Sequence, residues 1–191
     1  MSIMNKGKGV IVLLALSCGL MAPVIAGSLT LTSNDIKHGK HMSTTQEFQG
    51  FGCSGENLSP QLEWSGAPTG TKSFAITVYD PDAPTGSGWW HWQVINIPKG
   101  VNELAAGAGS SSGLKLPAGA AQVQNDYGIE EFGGACPPQG HGVHRYQFTL
   151  HALKVAKIEL PKGASSALAG YMINANAIET ATIEALYQRG E

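Results

Sequence analysis

"SFAITVYDPDAPTGSGWWHWQVINIP", Ser73 to Pro98, decides how this chain folds. Its first part alternates, with Phe74, Ile76 and Val78 on one side and Ala75, Thr77 and Tyr79 on the other. A repeat of two rather than 3.6 marks a strand, and the β-branched and aromatic residues that carry it suit a pleated backbone. "HWQVINI" from His91 repeats the pattern after "DPDAPTGSG", whose Pro and Gly fix a long surface turn. Pro81 and Pro84 stiffen that turn around two aspartates, Asp80 and Asp82, in a chain that is only 14% charged.

Outward from this stretch the same period recurs. In "HRYQFTLHAL", His144 to Leu153, the side chains of His144, Tyr146, Phe148 and Leu150 share one face and Arg145, Gln147 and Thr149 the other. "SGAPTGTK" and "GGACPPQGHG" read as turns and surface loops. The Gly/Ala/Ser-rich patch from Leu104 to Ala121 reads as a flexible loop, and no repeat of fixed period appears. Only Ser165 to Gln188 reads as helix, with Ser or Thr capping options and an apolar stripe interrupted by Gly170. The expected architecture is one mainly β domain, residues 27–191, with a C-terminal helix.

The first 26 residues form a separate object. Lys6 and Lys8 precede an apolar run from Val10 to Leu16, and small residues close the segment at Ala26. That order is a secretory signal peptide, with cleavage expected after Ala26 and a periplasmic or secreted product. An uncleaved anchor fits less well, because Gly19 and Pro23 interrupt a run of borderline length. A lipid-modified Cys18 would want Leu where Ala15 stands. Cleavage removes two lysines and no acid, so the formal charge of −2 becomes −4. No basic field is left to hold a nucleic-acid backbone, and no stable membrane span remains. Two cysteines also remain, Cys53 and Cys136, and an even pair in an oxidising compartment is most simply a disulfide, the alternative being two unrelated buried thiols. In the chain-entropy picture such a bridge contributes up to about 4–5 kcal/mol.

Candidate site residues follow from the faces. His144 and Tyr146 share the core-facing side at its loop end, where a shallow pocket can open. Asp80 and Asp82 repel one another unless donors satisfy them, and His91, opening the neighbouring strand, is such a donor. The imidazoles and the tyrosine hydroxyl are hydrogen-bonding groups that such a pocket can present.

"DPDAP" followed by "WWHW", and "CPPQGHGVHRY" some fifty residues later, resemble the two signature blocks of the phosphatidylethanolamine-binding protein family, with the nearest likeness to its bacterial YbhB/YbcL-like, or Raf kinase inhibitor-like, branch. The likeness covers nearly all of the mature chain, including "NLSPQLEWSGAPTGTKSFAITVYDPDAP" and "GYMINANAI". It implies a β-sandwich around a large antiparallel sheet and a small pocket for phosphate-type anions or phospholipid head groups. Carried over by position, the ligand-binding residues are Asp80, Asp82, His91, Pro138, His144 and Tyr146. Where many relatives have a glycine before the two prolines, this chain has Cys136, so a disulfide would alter the rim. The expectation is an exported binding protein, modulation of a protein partner being an accompanying role, with a hydrolase or protease inhibitor as the alternative.

Other chemistries fit less well. "GSSSG" around Ser111 matches a nucleophile-elbow pattern, yet Pro117 stands where the following helix should begin. His38 with His41, and His141 with His144, have metal-like spacing but lie in no clear helix. Asp80, His91 and His144 form an acid–base set without an activated nucleophile. Trp89, Trp90 and Trp92 read as core or pocket wall rather than a lipid-inserting patch. No catalytic residue, metal or cofactor is assigned.

Overall fold

The computed structural model describes Met1 and residues 28–190. The expected leader, Cys18 and the cleavage point therefore lie outside the described residues, Met1 excepted. The strands are β1 (Thr30–Thr32), β2 (Gln49–Gly50), β3 (Cys53–Ser54), β4 (Leu62–Ser65), β5 (Ser73–Asp80), β6 (Trp89–Pro98), β7 (Glu103–Leu104), β8 (Ala121–Gln122) and β9 (His144–Leu153). Helix α1 (Ser166–Asn176) and strand β10 (Ala177–Tyr187) complete the described chain.

The alternation around Ser73 becomes the centre of a five-stranded sheet in the order β10-β9-β5-β6-β8, antiparallel at each pairing. β5 lies in the middle and is covered on both faces. Phe74, Ile76 and Val78 join Trp92, Val94, Phe148 and Leu150 against Leu62, Trp64 and Leu104 of the smaller β1-β4-β7 sheet. Ala75 faces the other way and packs with Ile95, Leu153, Ala169 and Ile173, the last two from α1. Two sheets thus enclose one core and the helix closes a second. A central strand sandwiched in this way is apolar on both sides, which is why β5 is buried almost throughout.

The C-terminal region corrects the expectation of a helix from Ser165 to Gln188. The helix begins where expected, with the Ser165 side chain accepting from the Leu168 N–H, but it ends at Asn176. From Ala177 the chain turns into β10 and pairs with β9 as far as Tyr187 opposite His144. The residues Ala177, Glu179, Ala181, Ile183, Ala185 and Tyr187 alternate with more exposed neighbours, a period of two that Ala and Glu, good helix formers, obscure. The open edge of β9 decides the outcome, because its backbone groups need partners.

The patch from Leu104 to Ala121 is loop between the end of β7 and the start of β8, anchored at its start. Gly107 and Gly109 donate to the Ser59 carbonyl and hydroxyl respectively, and Ala108 is buried. These bonds stitch the start of the patch to the chain after Asn57. No helix follows Ser111, so the nucleophile-elbow geometry is not formed there.

Candidate functional site

The register of the large sheet assembles the site. Tyr79 of β5 lies opposite Gln147 of β9, so Asp80 at the end of one strand arrives beside His144 at the start of the other. Val78 lies opposite Trp92, which brings His91 of β6 to the same end. Asp80, His91, Pro138, His144 and Tyr146 line one cavity of about 280 Å³. Pro84, Trp89, Tyr127, Pro137, Phe51 and Arg189 complete much of its wall. Of the family-derived set, Asp82 alone is absent from the lining. Its carboxylate turns outward and accepts from the backbone N–H, Nε and Nη2 of Arg145 at 2.9, 2.9 and 2.7 Å. The Arg145 guanidinium holds the Asp82 carboxyl below its ordinary range. The Asp82 backbone N–H still serves the site by donating to Asp80 Oδ1 at 2.8 Å.

The floor is built from hydrogen bonds that fix protonation. Asp80 Oδ2 accepts from His144 Nδ1 at 2.7 Å, and both residues are buried. His144 Nε2 then faces Nδ1 of the exposed His141 at 2.8 Å. Asp80, His144 and His141 thus form a row from core to solvent. His91 Nδ1 meets the carbonyls of Gly133 and Gly134 at 2.8 and 3.1 Å; carbonyls only accept, so this nitrogen carries the proton. Burial pushes the His91 imidazole below its ordinary pKa, against the raising influence of those carbonyls and of Asp80. His91 is therefore neutral at pH 7 and its Nε2 is a bare acceptor. Burial, reinforced by the Asp80 charge, raises the Tyr146 hydroxyl far above its ordinary value, which keeps it a donor.

Three polar atoms of cavity-lining side chains are buried without a hydrogen-bond partner: His91 Nε2, the Tyr146 hydroxyl and Trp89 Nε1. Each such atom costs about 1–3 kcal/mol when left unpaired, and three around one cavity mark a place where a polar ligand repays the cost. The His144 and Asp80 pair orients an imidazole as a general base needs, but the partner on its far nitrogen is His141, not a hydroxyl or thiol.

Residues that sequence reasoning missed hold this arrangement. Asn57 adopts φ 52° and clamps the 132–134 loop, donating to the Phe132 carbonyl at 3.0 Å and accepting from the Gly134 N–H at 2.7 Å. A Cβ on Gly134 would stand 2.3 Å from the Gln46 carbonyl oxygen, so only glycine lets that loop approach. Tyr127 stacks on Phe48 and anchors its hydroxyl on the Gly134 carbonyl. The double glycine before Cys136 was the one readable signal. Cys53 and Cys136 form a disulfide, as their parity suggested, and it ties the loop before Asn57 to the cavity rim. Among the described residues, no cluster of three or more His, Cys, Asp or Glu side chains is suited to hold a metal ion, and no helix is long and apolar enough to cross a membrane.

Residues 32–188 match the family model described as phosphatidylethanolamine-binding protein. The chain belongs to this family. It is similar to the UPF0098 protein YbcL of Escherichia coli K12, 57% identical over 163 residues that span 85% of this chain and 89% of YbcL. The same organism's UPF0098 protein YbhB is 43% identical over 159 residues, 83% of this chain and 99% of YbhB. The crystal structure of E. coli YbcL, described as a new member of the mammalian family, superposes with a TM-score of 0.83, covering 85% of this chain and 99% of that one. A Mycobacterium tuberculosis protein named putative lipoprotein LppC is 42% identical over 123 residues, 64% of this chain and 56% of LppC. The likeness to YbcL agrees with the mainly β architecture, its large antiparallel sheet and its helix near the C-terminus.

Proposed function

We propose that this chain is an exported binding protein whose cavity takes a phosphate-type anion, free or as a phospholipid head group, without turning it over, and that the loaded protein acts on a protein partner. The observation that carries this reading is the set of unpartnered buried atoms at the cavity. A phosphate oxygen accepts from the Tyr146 hydroxyl and from Trp89 Nε1, and a protonated phosphate oxygen donates to His91 Nε2. Inorganic phosphate and phosphate monoesters carry both kinds of oxygen near neutrality, the second proton of a monoester leaving at about pH 6. The neutral state of His91 thus favours the singly protonated form of free phosphate or a monoester, whereas a phospholipid head group, a diester without that proton, would offer an ammonium N–H to His91 Nε2 instead. Membership of the phosphatidylethanolamine-binding family supports the ligand class. The disulfide, the leader-like N-terminus and the resemblance to a protein named as a lipoprotein support export.

Tyr146→Phe tests the site. The variant loses a donor to ligand but also an unpaired buried hydroxyl, so the empty protein should melt at or above the wild-type temperature while phosphate affinity falls by about 1–1.5 kcal/mol. Calorimetric titration with phosphate and with phosphoethanolamine reads the affinity. Equal affinity in both proteins refutes the site, and steady hydrolysis of a phosphate ester by wild type transfers the assignment to an enzyme.

A further inference from the structure

We infer that Arg189 supplies the positive charge that holds the anion, and that the Cys53–Cys136 disulfide keeps it positioned to do so; the inference rests on the anion-binding reading above. The floor of the cavity leaves no cation free to meet an anion. Asp80 brings a negative charge, His91 is neutral, and the two nitrogens of His144 already face Asp80 and His141. Arg189, just beyond β10, is the remaining charged side chain in the lining.

Its setting is that of a held but unspent cation. Nη2 donates to the Gly52 carbonyl at 2.6 Å and Nη1 lies 3.5 Å from the Pro137 carbonyl. Gly52 immediately precedes Cys53 and Pro137 immediately follows Cys136, so the guanidinium bridges the same two loops that the disulfide joins, with Cα atoms 6.0 Å apart at the bridge. Both partners are neutral carbonyls, and no carboxylate pairs with Arg189 among the described residues. A guanidinium has five N–H groups, so three remain for a ligand. Its planar fork matches two oxygens of a phosphate, and its half-buried position screens the charge less than open water would. Opening the disulfide releases the two carbonyls from one another and with them the aim of the fork.

The test titrates inorganic phosphate into the oxidised full chain, Arg189→Gln, Arg189→Lys, the double variant Cys53→Ala/Cys136→Ala, and that double variant combined with Arg189→Gln. Arg189→Gln should bind phosphate about 10- to 100-fold more weakly and lose most of the salt dependence. Arg189→Lys should recover part of the affinity through its charge. Loss of the disulfide should weaken binding in the Arg189 background and have little further effect once Arg189 is Gln. Wild-type affinity and salt dependence in Arg189→Gln overturn the assignment, a purely structural bolt changing the melting temperature alone. Additive losses in the combined variant overturn the role of the disulfide. A wild-type protein that binds neither phosphate nor phosphoethanolamine overturns the anion-binding reading itself, and this inference with it.

Discussion

Asn57 is the residue whose replacement should do most damage for its size. Its side chain makes two hydrogen bonds, to the Phe132 carbonyl and from the Gly134 N–H, both to buried residues. Asn57→Ala removes both and strands a buried donor and a buried acceptor, each at about 1–3 kcal/mol. Alanine at φ 52° adds about 1 kcal/mol of left-handed strain that asparagine tolerates better. The expected loss is about 3–7 kcal/mol. Asn57→Gly loses the same bonds without that strain, so it should be about 1 kcal/mol less severe. The damage also reaches the cavity, because the Gly133 and Gly134 carbonyls fix the His91 tautomer. Urea unfolding followed by tryptophan fluorescence measures the stability, and calorimetry at a denaturant-free, fully folded temperature measures phosphate affinity. A loss below about 1 kcal/mol in Asn57→Ala, with unchanged phosphate affinity, refutes the clamp.

His151 is buried against Thr77, with Nε2 and Oγ1 3.0 Å apart, and burial pushes it from its ordinary value near 6.5 down to about 4. The unfolded chain binds a proton that the folded one refuses, so stability is complete above about pH 6.5 and falls by about 3 kcal/mol as the pH drops to about 4. His151→Gln, which does not titrate, should flatten that acid limb in pH-dependent unfolding; parallel curves would rule His151 out as its source. Asp82→Asn should leave phosphate affinity unchanged, since that carboxylate faces Arg145 outside the cavity, and a large loss in calorimetry would return Asp82 to the site. Phosphomonoester affinity should weaken as the pH rises past about 6, because the bound anion keeps a proton facing His91 Nε2; proton uptake on binding, read from titrations in buffers of different ionisation heat, checks it, and zero uptake above pH 7 contradicts it.

The sequence by itself determined the three long central strands, β5, β6 and β9, and the face on which His144 and Tyr146 lie, because a strand's two-residue repeat is a local property and a single shift would turn every core residue to solvent. It also pointed to the pairing of Cys53 with Cys136, since parity and compartment need no coordinates. Only the tertiary structure decided the rest. Whether Ala177 to Tyr187 is helix or strand depended on the open edge of β9, a partner far away in sequence. Asp80 and Asp82 looked equivalent in "DPDAP", yet β5 ends at Asp80, whose carboxylate meets His144 in the core, and the turn that follows sends the Asp82 carboxylate to Arg145 at the surface. Arg189 carries no local mark, for its role arises from carbonyls on two loops that a disulfide brings together across 83 residues of chain. Periodicity reports what a residue's own backbone imposes, whereas charge, protonation and pairing belong to whatever the fold places within a few ångströms.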